Sequence, residues 1–206
     1  MSSFFEAPLP PRRGETATLA GSGERNSKDG VGTAASFARP MGLVVSPDGG
    51  KLFVADNGRQ KIRVVNLADG RVSTFAGSGQ KKSEDGVGAA ASFDWPMGLA
   101  VSPDGNKLFV TDHGSNKIRV VTVVDGQVST IAGSGAKGSA DGVGTAASFN
   151  DPRGLALSPD GSKLFVADCA NGKIRAVNVA DGQVSTFAGS GQGKSEDGVG
   201  TAASFN

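Results

Sequence analysis

Words that recur at a fixed spacing, strand-like segments inside every period and no helical pattern together predict an all-β fold assembled from repeated sheets. Ala-Gly-Ser-Gly begins at Ala20, Ala76, Ala132 and Ala188, and Asp-Gly-Val-Gly at Asp29, Asp85, Asp141 and Asp197, so both recur every 56 residues without insertion or deletion. Ser-Pro-Asp-Gly from Ser46, Ser102 and Ser158, Leu-Phe-Val from Leu52, Leu108 and Leu164, and Lys-Ile-Arg from Lys61, Lys117 and Lys173 keep the same register. The similarity starts at Gly14. It divides the chain into a non-repeat leader, 1–13, full copies at 14–69, 70–125 and 126–181, and a partial copy at 182–206. Repetition accounts for a composition with 32 glycines, 11 phenylalanines and no tyrosine in 206 residues.

Each copy holds four strand-like segments, here called a to d. In the first copy, strand a (Gly42–Ser46) is followed by the turn residues Pro47-Asp-Gly-Gly, strand b (Lys51–Ala55) by Asp56-Asn-Gly-Arg-Gln, and strand c (Lys61–Val65) by Asn66-Leu-Ala-Asp-Gly; strand d (Arg71–Ala76) comes last. Connections this short pair neighbours as antiparallel hairpins, giving a four-stranded meander. Strand b is apolar at the consecutive positions Leu52, Phe53, Val54 and Ala55, so both of its faces need cover, as when twisted sheets stack face to face. Stacked four-stranded meanders are blades of a β-propeller, whereas a solenoid coil uses fewer strands per turn. The chain supplies three blades and a lone d strand at residues 15–20. Three blades do not close a ring, since propellers have about four to eight. Two copies about a twofold axis give six, so a homodimer is expected. Either strand 15–20 completes the partner's last blade and displaces 182–206, or the chain's own last strand stays and leaves the leader and strand 15–20 free.

The pattern Pro-x-Gly-Leu-x-Val-Ser-Pro-Asp-Gly-x-x-Leu-Phe-Val-Ala-Asp followed by Lys-Ile-Arg-Val-Val, as in Pro40–Val65, resembles the NHL-repeat family of β-propellers. The likeness covers residues 14–206 and recurs in three copies. It implies a propeller, usually of six blades, whose members mostly bind proteins or RNA; related six-bladed propellers include lyases and metal-dependent lactonases. The long d-to-a connection, Gly77–Pro96 in the second copy, looks like the linkers found in a subset of these repeats.

That connection contains near misses to active-site motifs. Gly133-Ser-Gly-Ala-Lys-Gly138 fits G-x-G-x-x-G but opens no helix, and Gly193-Lys194-Ser195 lacks the leading glycine of a phosphate loop because Ala188 stands there. Asp85-Gly-Val-Gly offers one carboxylate where calcium takes about six to eight oxygens. Neither a cofactor nor a metal site is expected. The connection reads as a compact loop in which Asp caps backbone amides and Phe93 tucks under the blade edge. Asp56, Asp112 and Asp168 close strand b and are read as caps of the b-to-c turn, with Asp56→Ala costing about 1 kcal/mol. Arg63, Arg119 and Arg175 in strand c are expected between blades, paired with carboxylates or carbonyls. The single histidine, His113, and the single cysteine, Cys169, share a repeat position with Asn57.

Positions identical in every copy are explained by the blade, so an asymmetric binding site has to come from positions that differ. Arg39, Trp95 and Asp151 are equivalent to one another, as are Met41, Met97 and Arg153; with His113 they fall on the face carrying the d-to-a and b-to-c connections. Trp95, read as an exposed aromatic, is a natural contact for a protein or peptide partner. Lys plus Arg (21) against Asp plus Glu (20) leaves a net charge of +1, which argues against general attraction to nucleic acid or an anionic membrane. No apolar run reaches the ~20 residues of a membrane span, and the leader has no signal-peptide hydrophobic region, so an intracellular, cytoplasmic location is expected. The functional reading is a non-catalytic propeller scaffold for protein–protein interaction or self-assembly. A lactonase- or lyase-type enzyme with a metal in the central channel and an RNA-binding NHL platform are the alternatives.

Overall fold

The computed structural model describes residues 16–206. The first sheet contains β1 (Gly30–Val31), β2 (Pro40–Val45), β3 (Lys51–Asp56), β4 (Lys61–Asn66) and β5 (Arg71–Ala76), in the spatial order β1-β5-β4-β3-β2. The second runs from β6 (Gly86–Val87) through β7 (Pro96–Val101), β8 (Lys107–Asp112) and β9 (Lys117–Thr122) to β10 (Gln127–Ala132). The third comprises β11 (Gly142–Val143), β12 (Pro152–Leu157), β13 (Lys163–Asp168), β14 (Lys173–Asn178) and β15 (Gln183–Ala188), and all three sheets share one order. Strands a to d of the sequence are therefore β2–β5, β7–β10 and β12–β15, paired antiparallel as a meander.

Two expectations are corrected. Each blade has five strands rather than four, because the long connection lays a two-residue strand along the first residues of strand d: Gly30 pairs with Val72 and Val31 with Arg71. The lone strand at 15–20 does not form over its described part, Thr16–Ala20, which has no strand c beside it to pair with; Glu15 and the leader lie outside the described residues. The chain's own last strand, β15, stays paired with β14.

The blades stack face to face, which accounts for the two-sided apolar run in strand b. Val44, Phe53, Val64 and Phe75 of blade one pack against Leu99, Leu108, Val110, Val121 and Val128 of blade two. Ala100, Phe109, Val120 and Ile131 on the far side of blade two meet Leu155, Leu164, Val166, Val177 and Val184 of blade three. Consecutive a strands lie side by side at the inner ends of the sheets, and glycine is required there by proximity rather than by dihedral angle. A Cβ on Gly42 would run into the Met97 carbonyl oxygen, and one on Gly98 would lie 2.5 Å from that of Arg153. Gly154 has no neighbour nearer than the Ala167 Cβ at 3.5 Å. Gly98→Ala is therefore expected to destabilise by about 1–3 kcal/mol through overpacking. Gly154→Ala is expected to be near neutral, with thermal melting at the lowest workable protein concentration as the check.

Candidate functional site

The residues common to every blade build a clamp. Arg63 is fully buried between β4 and the connection that precedes its own blade; Nη1 donates to Ser27 Oγ (2.6 Å) and the Ser36 carbonyl (3.2 Å) and pairs with Asp56 Oδ2 (3.2 Å). Nη2 donates to the Lys28 carbonyl (3.1 Å) and to Asp29 Oδ1 (2.7 Å). Arg119 repeats the set with Ser83, Ser92, Asp112, Glu84 and Asp85, and Arg175 keeps Ser148, Asp168, Ala140 and Asp141. The rings of Phe37, Phe93 and Phe149 lie under the three guanidinium groups at 5.4, 5.5 and 5.3 Å, a cation–π contact in each blade.

This geometry revises the reading of the repeated carboxylates. Asp56 makes no side-chain bond to the b-to-c turn; Oδ1 accepts the Ala38 N–H at 2.6 Å and Oδ2 accepts the Ser27 hydroxyl at 2.5 Å. Asp112 and Asp168 accept from Asp94 N and Asn150 N in the same way, and in blade three alone the turn reading holds in part, since Asp168 Oδ2 also accepts from Asn171 Nδ2 of the b-to-c turn at 2.7 Å. A buried guanidinium two strand positions away takes the carboxylate, because an unpaired charge in that environment would be far costlier than a turn left without a cap. The arginines pair with carboxylates and carbonyls as expected; each ties its blade to the connection that precedes it, and the connections held by Arg119 and Arg175 pack between two blades. Asp29, Asp85 and Asp141 also accept from Arg and from the Thr74, Thr130 and Thr186 hydroxyls. Burial raises the Asp141 pKa, but the Arg175 and Thr186 contacts outweigh it and hold the carboxyl below its ordinary value. Phe93 is buried beneath the blade edge, where the connection was expected to place it.

The positions that differ between copies share one rim, fixed by the antiparallel order: strand a starts there and the b-to-c turns emerge there. Two groups form at successive blade junctions. At the first, Trp95 is half-buried rather than exposed, with the Arg39 guanidinium 5.5 Å and the Lys81 ammonium 5.7 Å from its ring centroid. At the second, His113 Nε2 reaches forward from blade two to the Asp151 carboxylate, which also accepts from Arg153 Nη2 at 2.8 Å and Nε at 3.1 Å. Burial works against ionising Asp151, yet the Arg153 hydrogen bond and the nearby His113 keep its carboxyl below the usual range. Met41 is exposed at the start of β2, and Met97 is half-buried at the equivalent place in β7.

Arg39, Trp95 and Asp151 all adopt left-handed backbone, at φ 59°, 55° and 60°. Bulky residues there cost of the order of 1–2 kcal/mol. At the two blade junctions the conformation is held: the Trp95 N–H donates to Gln60 Oε1 at 2.9 Å and the Asp151 N–H to Asn116 Oδ1 at 3.0 Å, while Asn57 Nδ2 donates to the Pro96 carbonyl at 3.1 Å. Gln60, Asn116 and Lys81 escaped the sequence reading, although Gln60, Asn116 and Gly172 occupy a slot that varies between copies. Because φ is positive, Trp95→Gly is expected to melt no lower than Trp95→Ala, the reverse of the usual order.

Cys169 is exposed in the third b-to-c turn, and partial burial of its thiol, only partly opposed by Arg153, raises the pKa above the ordinary value. Alkylation should accelerate only at pH above the ordinary thiol range, and Arg153→Ala should move the midpoint higher still. Among the described residues, no three His, Cys, Asp or Glu side chains are placed to hold a metal ion, and no helix is long and apolar enough to cross a membrane. An open groove lies on the other rim, between Ser46, Asp48, Lys51, Asp104 and Asn106, away from the differing positions.

Meandering blades stacked about touching inner strands define a wedge of a β-propeller. A family model described as the Teneurin NHL domain matches residues 14–189. The chain is 34% identical over 179 residues to Protein SUPPRESSOR OF QUENCHING 1, chloroplastic, of Arabidopsis thaliana, covering 82% of this chain and 17% of that protein. It is 33% identical over 187 residues to NHL repeat-containing protein 2 of Bos taurus, covering 85% of this chain and 26% of that protein. The chain belongs to the NHL-repeat family, and it spans about a quarter or less of the length of these relatives. Solved propellers share the fold: a structural-genomics protein of unknown function from Bacteroides thetaiotaomicron superposes with a TM-score of 0.65 at 22% identity, over 81% of this chain and 40% of that one. A catalytically inactive virginiamycin B lyase from Staphylococcus aureus with quinupristin gives 0.51 at 20% identity, over 73% of this chain and 41% of that one.

Proposed function

We propose that this chain is a non-catalytic NHL platform that binds a protein or peptide across the rim carrying Arg39, Trp95, Met41, Met97, His113, Asp151 and Arg153. The observation that carries the reading is the division of labour among charged groups. Asp56, Asp112 and Asp168, repeated in every blade, are each consumed by a buried arginine, while the two junctions on the rim present different chemistry: a cation-flanked indole at one and a His–Asp–Arg group at the other. Half-buried tryptophan beside arginine is a common anchor for a protein partner. The free thiol of Cys169 fits the intracellular location that belongs to this reading.

The test is a peptide selection on the immobilised chain, repeated with Trp95→Ala and Arg39→Ala variants whose melting temperatures are unchanged. Selected peptides that lose binding to both variants support the platform. A rise of several degrees in melting temperature with calcium or zinc would favour the metal-dependent enzyme and overturn it. Tight binding of a single-stranded RNA oligonucleotide with a steep salt dependence would move the reading to RNA.

A further inference from the structure

We propose that the partner read by this rim is an acidic peptide segment, whose carboxylates are taken at the first blade junction by Arg39, Arg59 and Lys81 around the Trp95 indole. The proposal rests on the peptide-platform reading above and names the chemistry of its partner.

Backbone contacts between blades one and two bring these side chains together. The Gly58 N–H donates to the Ala38 carbonyl at 2.7 Å, which sets Arg39 beside the b-to-c turn that carries Arg59. The same turn ends in Gln60, whose side chain accepts from the Trp95 N–H. The long connection of blade two then passes over the turn: a Cβ on Gly79 would lie 3.5 Å from the Arg59 carbonyl oxygen and 3.2 Å from Lys61 Cε, and Lys81, two residues on, bridges to Phe93. Arg39 and Lys81 thereby reach the same ring from different blades.

Few carboxylates answer these cations. Lys82 pairs with Glu84 at 3.7 Å, and Asp94 Oδ1 lies 3.9 Å from the Lys81 ammonium. Among the described residues, Arg39, Arg59 and Lys61 lie within ion-pair distance of no carboxylate, and both Arg59 and Lys81 are exposed. The second junction has the same backbone and a different character. Ser115 stands in place of Arg59, Gly138 in place of Lys82 and Asp151 in place of Trp95, and the Asp151 carboxylate already engages Arg153 and His113. On the opposite rim the groove sets Asp48 and Asp104 beside Lys51, with the Ser46 and Ser102 hydroxyls holding the two carboxyls below their ordinary range, so an acidic segment is repelled there.

A guanidinium beside an aromatic ring is pre-organised to present its planar fork to a carboxylate, and the indole offers apolar surface to the neighbouring side chain of the same peptide. Two cations at the ring repel a third, which excludes a lysine-rich partner. A nucleic acid strand would call for successive stacking aromatics. Trp95 stands without them, since Phe93, two residues before it, is buried.

Trp95 is the only tryptophan and the chain has no tyrosine, so emission excited in the indole band reads this junction alone. The full chain is titrated with a capped peptide of alternating Glu and Leu, and with the same peptide carrying Gln for Glu. The expected result is a saturable change in emission with the acidic peptide, about tenfold tighter than with the Gln peptide. Affinity should fall several-fold between about 0.1 and about 1 M salt, as the screening length shrinks from about 10 to about 3 Å. Arg39→Gln and Arg59→Glu, at unchanged melting temperature, should each weaken binding about fivefold or more, whereas Ser115→Glu at the second junction should leave it unchanged. Equal affinity for the two peptides, or selection at the rim of peptides without acidic residues, would overturn this proposal and leave the platform standing; failure of every peptide would remove both. Acidic binding that survives Arg39→Gln and Arg59→Glu would place the site elsewhere. A phosphoserine peptide or an oligouridylate that binds more than about tenfold tighter than the Glu peptide would assign the cations to phosphate instead.

Discussion

Arg119→Ala is expected to cost about 3–5 kcal/mol, because it strands Asp112 as a buried charge without a partner. The loss goes beyond one ion pair. The guanidinium also satisfies the Ser92 and Glu84 carbonyls at 3.2 and 3.1 Å and holds Asp85 at 2.6 Å, so its removal leaves acceptors of the connection unmet and unfastens β6 from β10. For a domain whose whole stability is of the order of 5–15 kcal/mol, that is a large fraction. Arg119→Lys keeps the charge but not the planar fork, so it should fall between Ala and the parent protein and remain folded enough to measure. Asp112→Asn should cost less than Arg119→Ala, since its amide oxygen still accepts the Asp94 N–H that now lies 2.6 Å from Oδ1. Urea titration gives the ranking. A loss below about 1 kcal/mol for Arg119→Ala, the size expected of a mere turn cap, would restore the local reading of Asp112.

That contrast marks where the sequence stops being legible. Strands a to d could be read because turn residues such as Pro47-Asp48-Gly49 break apolar runs at fixed spacing, information that is local and stated three times. The fifth strand could not: Gly30-Val31 is too short to show alternation, and Asp29 beside it is held by Arg63, a partner 34 positions away in the chain. Asp56 misled for the same reason. At the end of a strand the nearest donors in sequence are turn amides, whereas the donors it uses, Ala38 and Arg63, come from other elements. On the rim, comparison between copies found Arg39, Trp95, Asp151 and Arg153 because difference within a repeat is itself visible. It did not find that Lys81 folds over Trp95, nor that three bulky residues before proline would take positive φ. At Trp95 and Asp151 the N–H groups are held by side chains of the preceding blade, and Arg39 adopts the same conformation without one, so no residue preference signals it.

Phe93→Ala should be the second most damaging single change, at about 3–5 kcal/mol for a fully buried phenylalanine whose surroundings cannot collapse into the gap. The ring is packed among Phe53, Ile62 and Ala76 of blade one and Leu108 and Val110 of blade two, with the Arg119 guanidinium over its face. Sheet backbones fix the positions of those neighbours, so the cavity would persist. Phe205 sits at the same repeat position but is 40% exposed, and Phe205→Ala should cost well under half as much in this chain. The pair separates the contribution of the junction from that of the local loop sequence, since Ala-Ala-Ser-Phe is common to both. Phe93→Ala should also loosen the connection that ends at Trp95, so amide exchange over 77–95 should speed up while β3 and β4 keep their protection. Equal losses in the two variants would mean that phenylalanine acts within its loop and that the blade junction is not what it stabilises.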